Sequence, residues 1–392
     1  MKVCVVGGKL QGTEALYLAS KAGMETVLID RDNNVPGQKF CCRFIRANVV
    51  NCCSDIMDIL QDADFVLPAL ENAEALNALK ELAETYSGIN LVYDEDAYAV
   101  SSSKQKSDRA FAAHGIACPV YYPGGSFPYI AKPSSLSGSV GVQLIEDKSE
   151  MDAFLEEHDL EEWVIQEFIS GPSYSLEIIG VPGNYRTYHV TELFMDSIYD
   201  CKRVLSCPDI PDDIDKQLRD ITLKLGEMVQ LHGVMDVEVI ERNGILYVLE
   251  IDARLPSQTP INVYQATGIN FMSELAGYFG KGKAQDGSFD NFNNTDPRKG
   301  SYVCLEHIRV RGNDAEICGE HIMSEAGPLE HLYNFCGADE ALTDYTPDAH
   351  SWAATLIFSA SSRSELETKL RNIRKELALI RKCDEKDITF KD

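Results

Sequence analysis

The first hundred residues carry four short apolar runs, 2–6, 26–30, 65–68 and 88–93, with helix-forming stretches at 13–21 and 71–86 between them. Strands alternating with helices imply βαβ units and a parallel sheet. The runs lack the polar alternation of a half-exposed strand, as expected where helices cover both faces of a sheet. A Rossmann-like N-terminal domain over 1–95 is therefore predicted.

The first strand runs into Gly7-Gly8-Lys9-Leu10-Gln11-Gly12, which opens a helix. Glycines there let backbone N–H groups approach an anion at the positive end of the helix dipole. Asp30, ending the second strand, would suit a ribose hydroxyl, although the spacing is not the dinucleotide fingerprint. The favoured reading is a scaffold turn that needs tight geometry or borders a small substrate.

Past residue 94 the texture changes. A helix ending near Gly115 leads to the strand ending at Lys132, then to a serine- and glycine-rich turn, Ser134 to Gly141. Such a turn offers N–H and hydroxyl donors without bulk, as a phosphate lid requires. Trp163 to Ile169 reads as a strand able to hold an adenine ring. Further on stand Met235-Asp236-Val-Glu238-Val and Leu246-Tyr-Val-Leu-Glu250-Ile-Asp252-Ala-Arg254. Residues i and i+2 of a strand share a face, so Glu250 and Asp252 project together and Arg254 continues their row. With Asp236 on a neighbouring strand they offer hard oxygen ligands suited to Mg²⁺ bridging nucleotide phosphates. A row of acids on an apolar sheet is costly to bury without a cation or ligand.

Composition narrows the classes. Across 392 residues, 62 acids against 36 bases give a formal net charge of −26, which argues against nucleic-acid and anionic-membrane partners. The 12 cysteines contain no C-x-x-C, so free thiols in a reducing compartment are expected. No stretch approaches the roughly 20 apolar residues of a membrane span, and a cytoplasmic location is expected. A polar segment over 282–300 reads as a linker, and 364–382 as a charged helix.

Lys104, Lys132, the Ser/Gly turn, Gln166 to Ile169, and Asp236 followed by Glu250-x-Asp252-x-Arg254 stand in the order of the ATP-grasp carboxylate–amine ligases, which the chain resembles over nearly its whole length. More narrowly, VGGKLQG, MDVEVI, VLEIDARLPSQTP with INVYQATGIN, Tyr199-Asp200-Cys201 and Leu305-Glu306-His307 resemble the 3-methylornithine–L-lysine ligase family of pyrrolysine biosynthesis. The resemblance implies an α/β and α+β chain: a pre-ATP-grasp domain at 1–95, an ATP-grasp nucleotide and substrate domain at 96–295, and a small C-terminal α/β domain at 296–392 completing the cleft.

It implies ATP and two Mg²⁺ ions as cofactors, with L-lysine and 3-methyl-D-ornithine or D-ornithine as partners. Lys104, Lys132, Ser135, Ser137, Gly138, Ser139, Gln166, Glu167, Phe168 and Ile169 would bind the nucleotide, and Asp236, Glu250 and Asp252 the metal. Arg254 and Lys132 would be catalytic. Leu10, Gln11, Glu71, Asn72, Ser175, Glu177, Asp200, Arg254, Ser257 and Thr259 would border the amino acids. Ser173 stands where many relatives carry a ribose-binding Glu. The eight histidines, His232 and His307 among them, read as structural. The implied chemistry is carboxylate phosphorylation by ATP, then attack by the lysine ε-amine.

Three other readings compete: another ATP-grasp amino-acid ligase or carboxylase, a nicotinamide-dependent dehydrogenase built on the glycine turn and Asp30, and a non-catalytic nucleotide-binding regulator. Periodicity does not set the oligomeric state, and a homo-oligomer stays open.

Overall fold

The computed structural model describes residues 1–51, 54–134, 139–206, 208–281, 301–347 and 349–392. The expected linker over 282–300 lies outside the described residues.

The N-terminal sheet is four-stranded and parallel, in the order β3-β2-β1-β4, with β1 (Lys2–Val6), β2 (Glu25–Asp30), β3 (Arg43–Arg46) and β4 (Phe65–Pro68). Helices α1 (Leu10–Lys21), α2 (Ser54–Asp62) and α3 (Ala73–Thr85) connect and flank these strands. The run at 88–93 forms only an isolated bridge, Leu91 to Val66, rather than a strand. Gly7 sits at φ +101°, and a Cβ on Gly12 would lie 2.0 Å from the Gly7 carbonyl oxygen, so α1 can start this close to β1 only with glycine there. Asp30 closes the same turn by accepting from the N–H of Gly8 at 2.7 Å and of Asp32 at 2.9 Å. Its carboxylate therefore serves the scaffold.

Helices α4 (Glu95–Ser101) and α5 (Lys104–Ala113) lead to a three-stranded sheet, β6-β5-β7, of β5 (Tyr129–Pro133), β6 (Gln143–Ile145) and β7 (Trp163–Glu167), with α6 (Lys148–Glu157) packed on it. The third sheet holds β8 (Ser173–Val181), β9 (Asn184–Thr187), β10 (Thr191–Met195), β11 (Cys201–Ser206), β12 (Gly233–Arg242), β13 (Ile245–Asp252), β14 (Tyr302–Arg311), β15 (Asp314–Ile317), β16 (Glu330–Phe335), β17 (Ala338–Thr343), β18 (Ser351–Ala360) and β19 (Thr389–Lys391). Its main path is β13-β12-β8-β10-β11-β14-β18-β17-β16. Strands on both sides of residue 296 thus share one sheet, joined where β11 pairs antiparallel with β14. Helix α7 (Asp212–Val229) packs against β8 and β12; three acids in its first turn favour the positive end of its dipole. Helices α8 (Thr259–Thr267) and α9 (Phe271–Phe279) pack against α1, and α10 (His321–Glu325) is a single short turn. The helix expected over 364–382 is two, α11 (Arg363–Arg371) and α12 (Ile373–Arg381), broken at Asn372. All nine described cysteines are free thiols.

One charged cluster ties the N-terminal helix to the C-terminal strands. Glu340 on β17 accepts from Tyr17 Oη at 2.7 Å, Lys21 Nζ at 2.9 Å and Gln265 Nε2 at 3.1 Å, and lies 2.6 Å from His331 Nε2. Burial pushes its carboxyl up, but these partners outweigh burial and hold it well below the usual carboxylate range. A depressed folded-state pKa contributes stability above the unfolded value of about 4.3 and loses it as pH falls toward the folded value. Glu340→Gln should cost about 2 kcal/mol at neutral pH and lower the unfolding midpoint by a few degrees. The gap to wild type should narrow on acidification from pH 7 to below 4. A gap unchanged over that range in thermal melts would show that the carboxylate charge contributes nothing.

Candidate active site

Strands β12 and β13 pair so that Asp236 faces Asp252 and Glu238 faces Glu250, and β8 places Glu177 beside Asp236 and Ser175 beside Glu238. Five acids and a serine thereby stand in two adjacent cross-strand rows. Glu238 belongs to this group although the sequence analysis passed over it; its i+2 spacing from Asp236 was a usable signal.

Cations face the acids from other elements. Lys104, opening α5, places Nζ 3.3 Å from Glu250 Oε2. Lys132, near the end of β5, is half-buried and acts electrostatically on Glu250 and Glu238. Arg254 Nη2 lies 2.9 Å from Asp252 Oδ2 and 2.9 Å from Glu71 Oε1. Burial drives the Lys132 ammonium down despite Glu250, while Glu250 and Asp252 overcome burial and hold Lys104 above its usual value. Burial also lifts Glu238 to about 8, with Glu250 and Asp252 adding to it, and lifts Asp252 to about 6 against the pull of Arg254. Asp236 is driven well above the carboxylate range by burial and by Asp252 and Glu238. For Glu250 burial acts upward too, but the two lysines prevail and its carboxyl sits below the usual range.

The expected trio Asp236, Glu250 and Asp252 does not converge on one point. Among the described residues no three Asp, Glu, His or Cys side chains are grouped to hold an ion by themselves. Glu250 turns to Lys104 and Asp252 to Arg254, while Asp236 Oδ1 is buried with no hydrogen-bond partner. Oxygen donors and an orphaned carboxylate oxygen still fit a hard cation whose remaining ligands come from a phosphate and water.

Two cavities share this wall. The larger, about 780 Å³, lies between the three-stranded sheet and the large sheet. Lys104, Lys132, Ser139, Glu167 to Ser173, Tyr199, Glu238 and Glu250 are on its lining. Ser139 takes φ +57° and donates its hydroxyl to the Tyr199 carbonyl. Ser135, Ser137 and Gly138 lie outside the described residues. In the expected hinge, the N–H of Glu167 donates to Val120 O at 2.8 Å and that of Phe168 to Pro128 O at 2.9 Å, so neither is left for a base. Buried Gln166 donates through Nε2 to Asp108 Oδ2 at 3.1 Å, and Tyr121 donates to the same oxygen at 2.6 Å. Its side chain thus serves the packing behind the cavity rather than its lining. Burial lifts Asp108 to about 6, against Tyr121 and the two lysines. Ser173, standing where the resemblance implies a ribose-binding Glu, lines this cavity together with Glu192.

The smaller cavity, about 300 Å³, is lined by Glu71, Tyr98, Asp200, Asp236, Asp252, Arg254, Ser257, Thr259 and Glu320, among others. Glu177 lies buried beneath it with both carboxylate oxygens unpartnered, near the equally unpartnered Ser175 Oγ and Thr259 Oγ1. Burial raises Glu177 to about 7, and the nearby Thr259 hydroxyl and the backbone N–H of Glu177 offset it only in part. Ser257 donates to Glu320 Oε1 at 3.0 Å, and Glu320 Oε2 is buried without a partner. Glu320 comes from a distant segment and carried no sequence signal. A third hollow, about 360 Å³, opens over the glycine turn, where Leu10, Gln11, Glu71 and Asn72 border it. Gln11 Nε2 donates to Glu71 at 3.2 Å. Asn72 caps α3 by accepting from the N–H of Ala75, so its oxygen serves the helix. Both oxygens of Asp200 are taken up by His321.

A buried acid with unpartnered oxygens costs stability and is retained for another reason. Glu177→Gln should therefore raise the thermal midpoint by a few degrees. A lowered midpoint would show that the carboxylate is satisfied in the folded chain.

Comparisons with known proteins bear on the family and the fold. Residues 101–258 match the model of the ATP-grasp domain. The chain is 32% identical to the 3-methyl-D-ornithine–L-lysine ligase of Methanosarcina acetivorans, over 94% of this chain and 95% of that one. It is likewise 32% identical to the enzyme of that name from Methanosarcina mazei, over 94% and 93%. The structure of an L-amino acid ligase from Bacillus licheniformis superposes with a TM-score of 0.67 at 16% identity, covering 96% of this chain and 98% of that one, which speaks for the fold alone. No helix among the described residues is long and apolar enough to cross a membrane. The mixed α/β, multi-domain ATP-grasp architecture is as expected, and the chain belongs to the 3-methyl-D-ornithine–L-lysine ligase family.

Proposed function

We propose that the protein is an ATP-dependent ligase joining the carboxylate of (3R)-3-methyl-D-ornithine to the ε-amine of L-lysine, through an acyl phosphate, in pyrrolysine biosynthesis. Family membership supports the reaction, and one observation carries its placement: the acid rows of β12, β13 and β8 form the wall between a large cavity and a small acidic one. The nucleotide is assigned to the larger cavity and the diamino acids to the smaller, with residues 1–95 and 296–392 flanking a central unit over 96–295.

A carboxylate and ATP repel each other, and the residues at the shared wall answer that repulsion. Lys104 and Lys132 lie on the nucleotide side, where they would offset phosphate charge, and Arg254 stands on the substrate side, where its fork would hold the reacting carboxylate. Asp236, Glu238, Glu250 and Asp252 would hold Mg²⁺ against the phosphates, and the ion would neutralise charge there as the phosphoryl group moves. A bound cation would favour the ionised form of these acids, whereas burial drives three of them toward the neutral form. Ser175, Glu177 and Thr259 offer unpartnered oxygens to the ammonium groups of a diamino acid. Ser139 and the rest of its turn would cover the phosphates and keep water from the acyl phosphate.

The test is ADP release with Mg-ATP, L-lysine and either 3-methyl-D-ornithine or D-ornithine, with product mass read alongside. ADP formation requiring both amino acids, with a condensed dipeptide, is the expected result. ADP release with other amino acids only would overturn the substrate assignment and keep the ligase. Arg254→Ala should lower kcat by about 10²- to 10³-fold with nucleotide affinity unchanged. An equal loss of nucleotide binding would place Arg254 elsewhere in the reaction.

A further inference from the structure

Lysine reaches the site as an ammonium ion with a solution pKa of about 10.4, so a proton must leave before its nitrogen can attack. In the ligase reading the acids of β12 and β13 are engaged by cations or by the proposed metal and Glu177 by an ammonium group of the diamino acid, and they make poor acceptors while so engaged. His321, the first residue of α10, lines the hollow over the glycine turn, and its partner Asp200 lines the small cavity.

Asp200 holds this histidine twice. Its Oδ2 accepts from the His321 backbone N–H at 3.2 Å, and its Oδ1 lies 2.9 Å from the ring Nδ1. Two contacts from one carboxylate fix both the helix turn and the plane of the imidazole. A carboxylate at Nδ1 fixes the proton on that nitrogen, so Nε2 carries the lone pair. Among the described residues Nε2 has no hydrogen-bond partner, and the side chain is 43% exposed, facing the hollow that Gln11 and Glu71 also line. Glu71 lines both the hollow and the small cavity, and the Asp200–His321 pair reaches from the small cavity, which Asp200 lines, to the hollow, which His321 lines. The charged groups acting on it are Asp200, Glu320 and Glu71, and Lys9, Asp30, Arg31, Asp32 and Glu74 also line the hollow. The three acids acting on it raise its affinity for a proton, Asp200 foremost.

We propose that His321, oriented by Asp200, is the base that accepts the proton of the incoming lysine ammonium. This inference rests on the ligase reading above. The ε-ammonium gives one proton to His321 Nε2, and the neutral nitrogen attacks the acyl carbon. The carbon–oxygen bond to the phosphoryl group breaks, phosphate leaves with the bonding pair, and it takes the second proton of the nitrogen as the amide forms. His321 then returns its proton to solvent through the open hollow. His321 is the catalytic group in this scheme and Asp200 a positioning residue.

Hydroxylamine separates the base from everything else, because it is already neutral at pH 7 and traps an acyl phosphate as the hydroxamate without a protein base. His321→Asn keeps a donor for Asp200 and removes the basic nitrogen. Expected at pH 7 is a loss of about 100-fold or more in lysine-dependent condensation, partly recovered as pH rises, with hydroxamate formation from D-ornithine within about twofold of wild type. Asp200→Asn should shift the acidic limb of the lysine-dependent profile to lower pH, since the carboxylate is what raises the His321 pKa. Condensation by His321→Asn at the wild-type rate would overturn the proposal. So would equal losses with lysine and with hydroxylamine, which would assign His321 to carboxylate activation or to the fold. Wild-type protein yielding neither hydroxamate nor dipeptide would instead defeat the ligase reading itself.

Discussion

The antiparallel pairing of β12 with β13 is the constraint on which the site depends. It sets Asp236 against Asp252 and Glu238 against Glu250, on a sheet whose other face is packed with Met235, Val237, Val239, Val248 and Ile251. Four carboxylates this close and this deep repel one another, and burial multiplies the penalty. The chain relieves part of the charge with Lys104, Lys132 and Arg254, which reach the group from α5, β5 and the residues after β13. The compensation is uneven. Glu250 stays below the usual carboxylate range, while Asp236 and Glu238 are pushed above it. A site balanced in this way gains most from an arriving cation–phosphate pair, because each half of that pair meets an opposite charge already in place.

The rest of the architecture keeps that wall accessible from two sides. The large sheet continues from β11 into β14, so the C-terminal strands support the same surface as the acids instead of forming a separate body. Asn262 on α8 donates to the carbonyls of both Val204 and Val303, bridging the two strands at their junction. Glu14 on α1 accepts from the N–H of Ile261 at 2.5 Å, locking the N-terminal helix to the start of α8. Rigid seams on one side leave the three-stranded sheet, with its lysine and serine turn, as the smaller covering element.

Much of this was legible in the sequence, for identifiable reasons. The strands 2–6 and 65–68 were read at their observed limits because continuous apolar runs bounded by glycine or proline leave little choice. Glu250, Asp252 and Arg254 were legible because period-two spacing is a property of one strand. The run at 88–93 failed as a strand because pairing, not hydrophobicity, decides strand formation, and only Leu91 finds a partner. The same limit hid the ion pairing: which acid turns to which cation depends on elements far apart in sequence. Asp108, Glu320 and His321 escaped notice because each becomes informative only through a partner more than ten residues away, Tyr121, Ser257 and Asp200 respectively.

The distribution of charge also explains how one cleft can keep two similar substrates apart. Both proposed amino acids carry ammonium groups, so an acidic chamber alone would bind either in either orientation. The carboxylate to be activated must meet a cation, and Arg254 is the cation on the lining of the small cavity, apart from Lys104 at its border with the large one. The ammonium groups are then directed to Glu177 and its neighbours on β8, away from the nucleotide. A second amino acid arriving by the hollow over the glycine turn meets Glu71, whose carboxylate already holds Arg254 and Gln11. Under the proposed assignment, the carboxylate nearest Arg254 would be the one activated, and an amine entering past Glu71 would attack it.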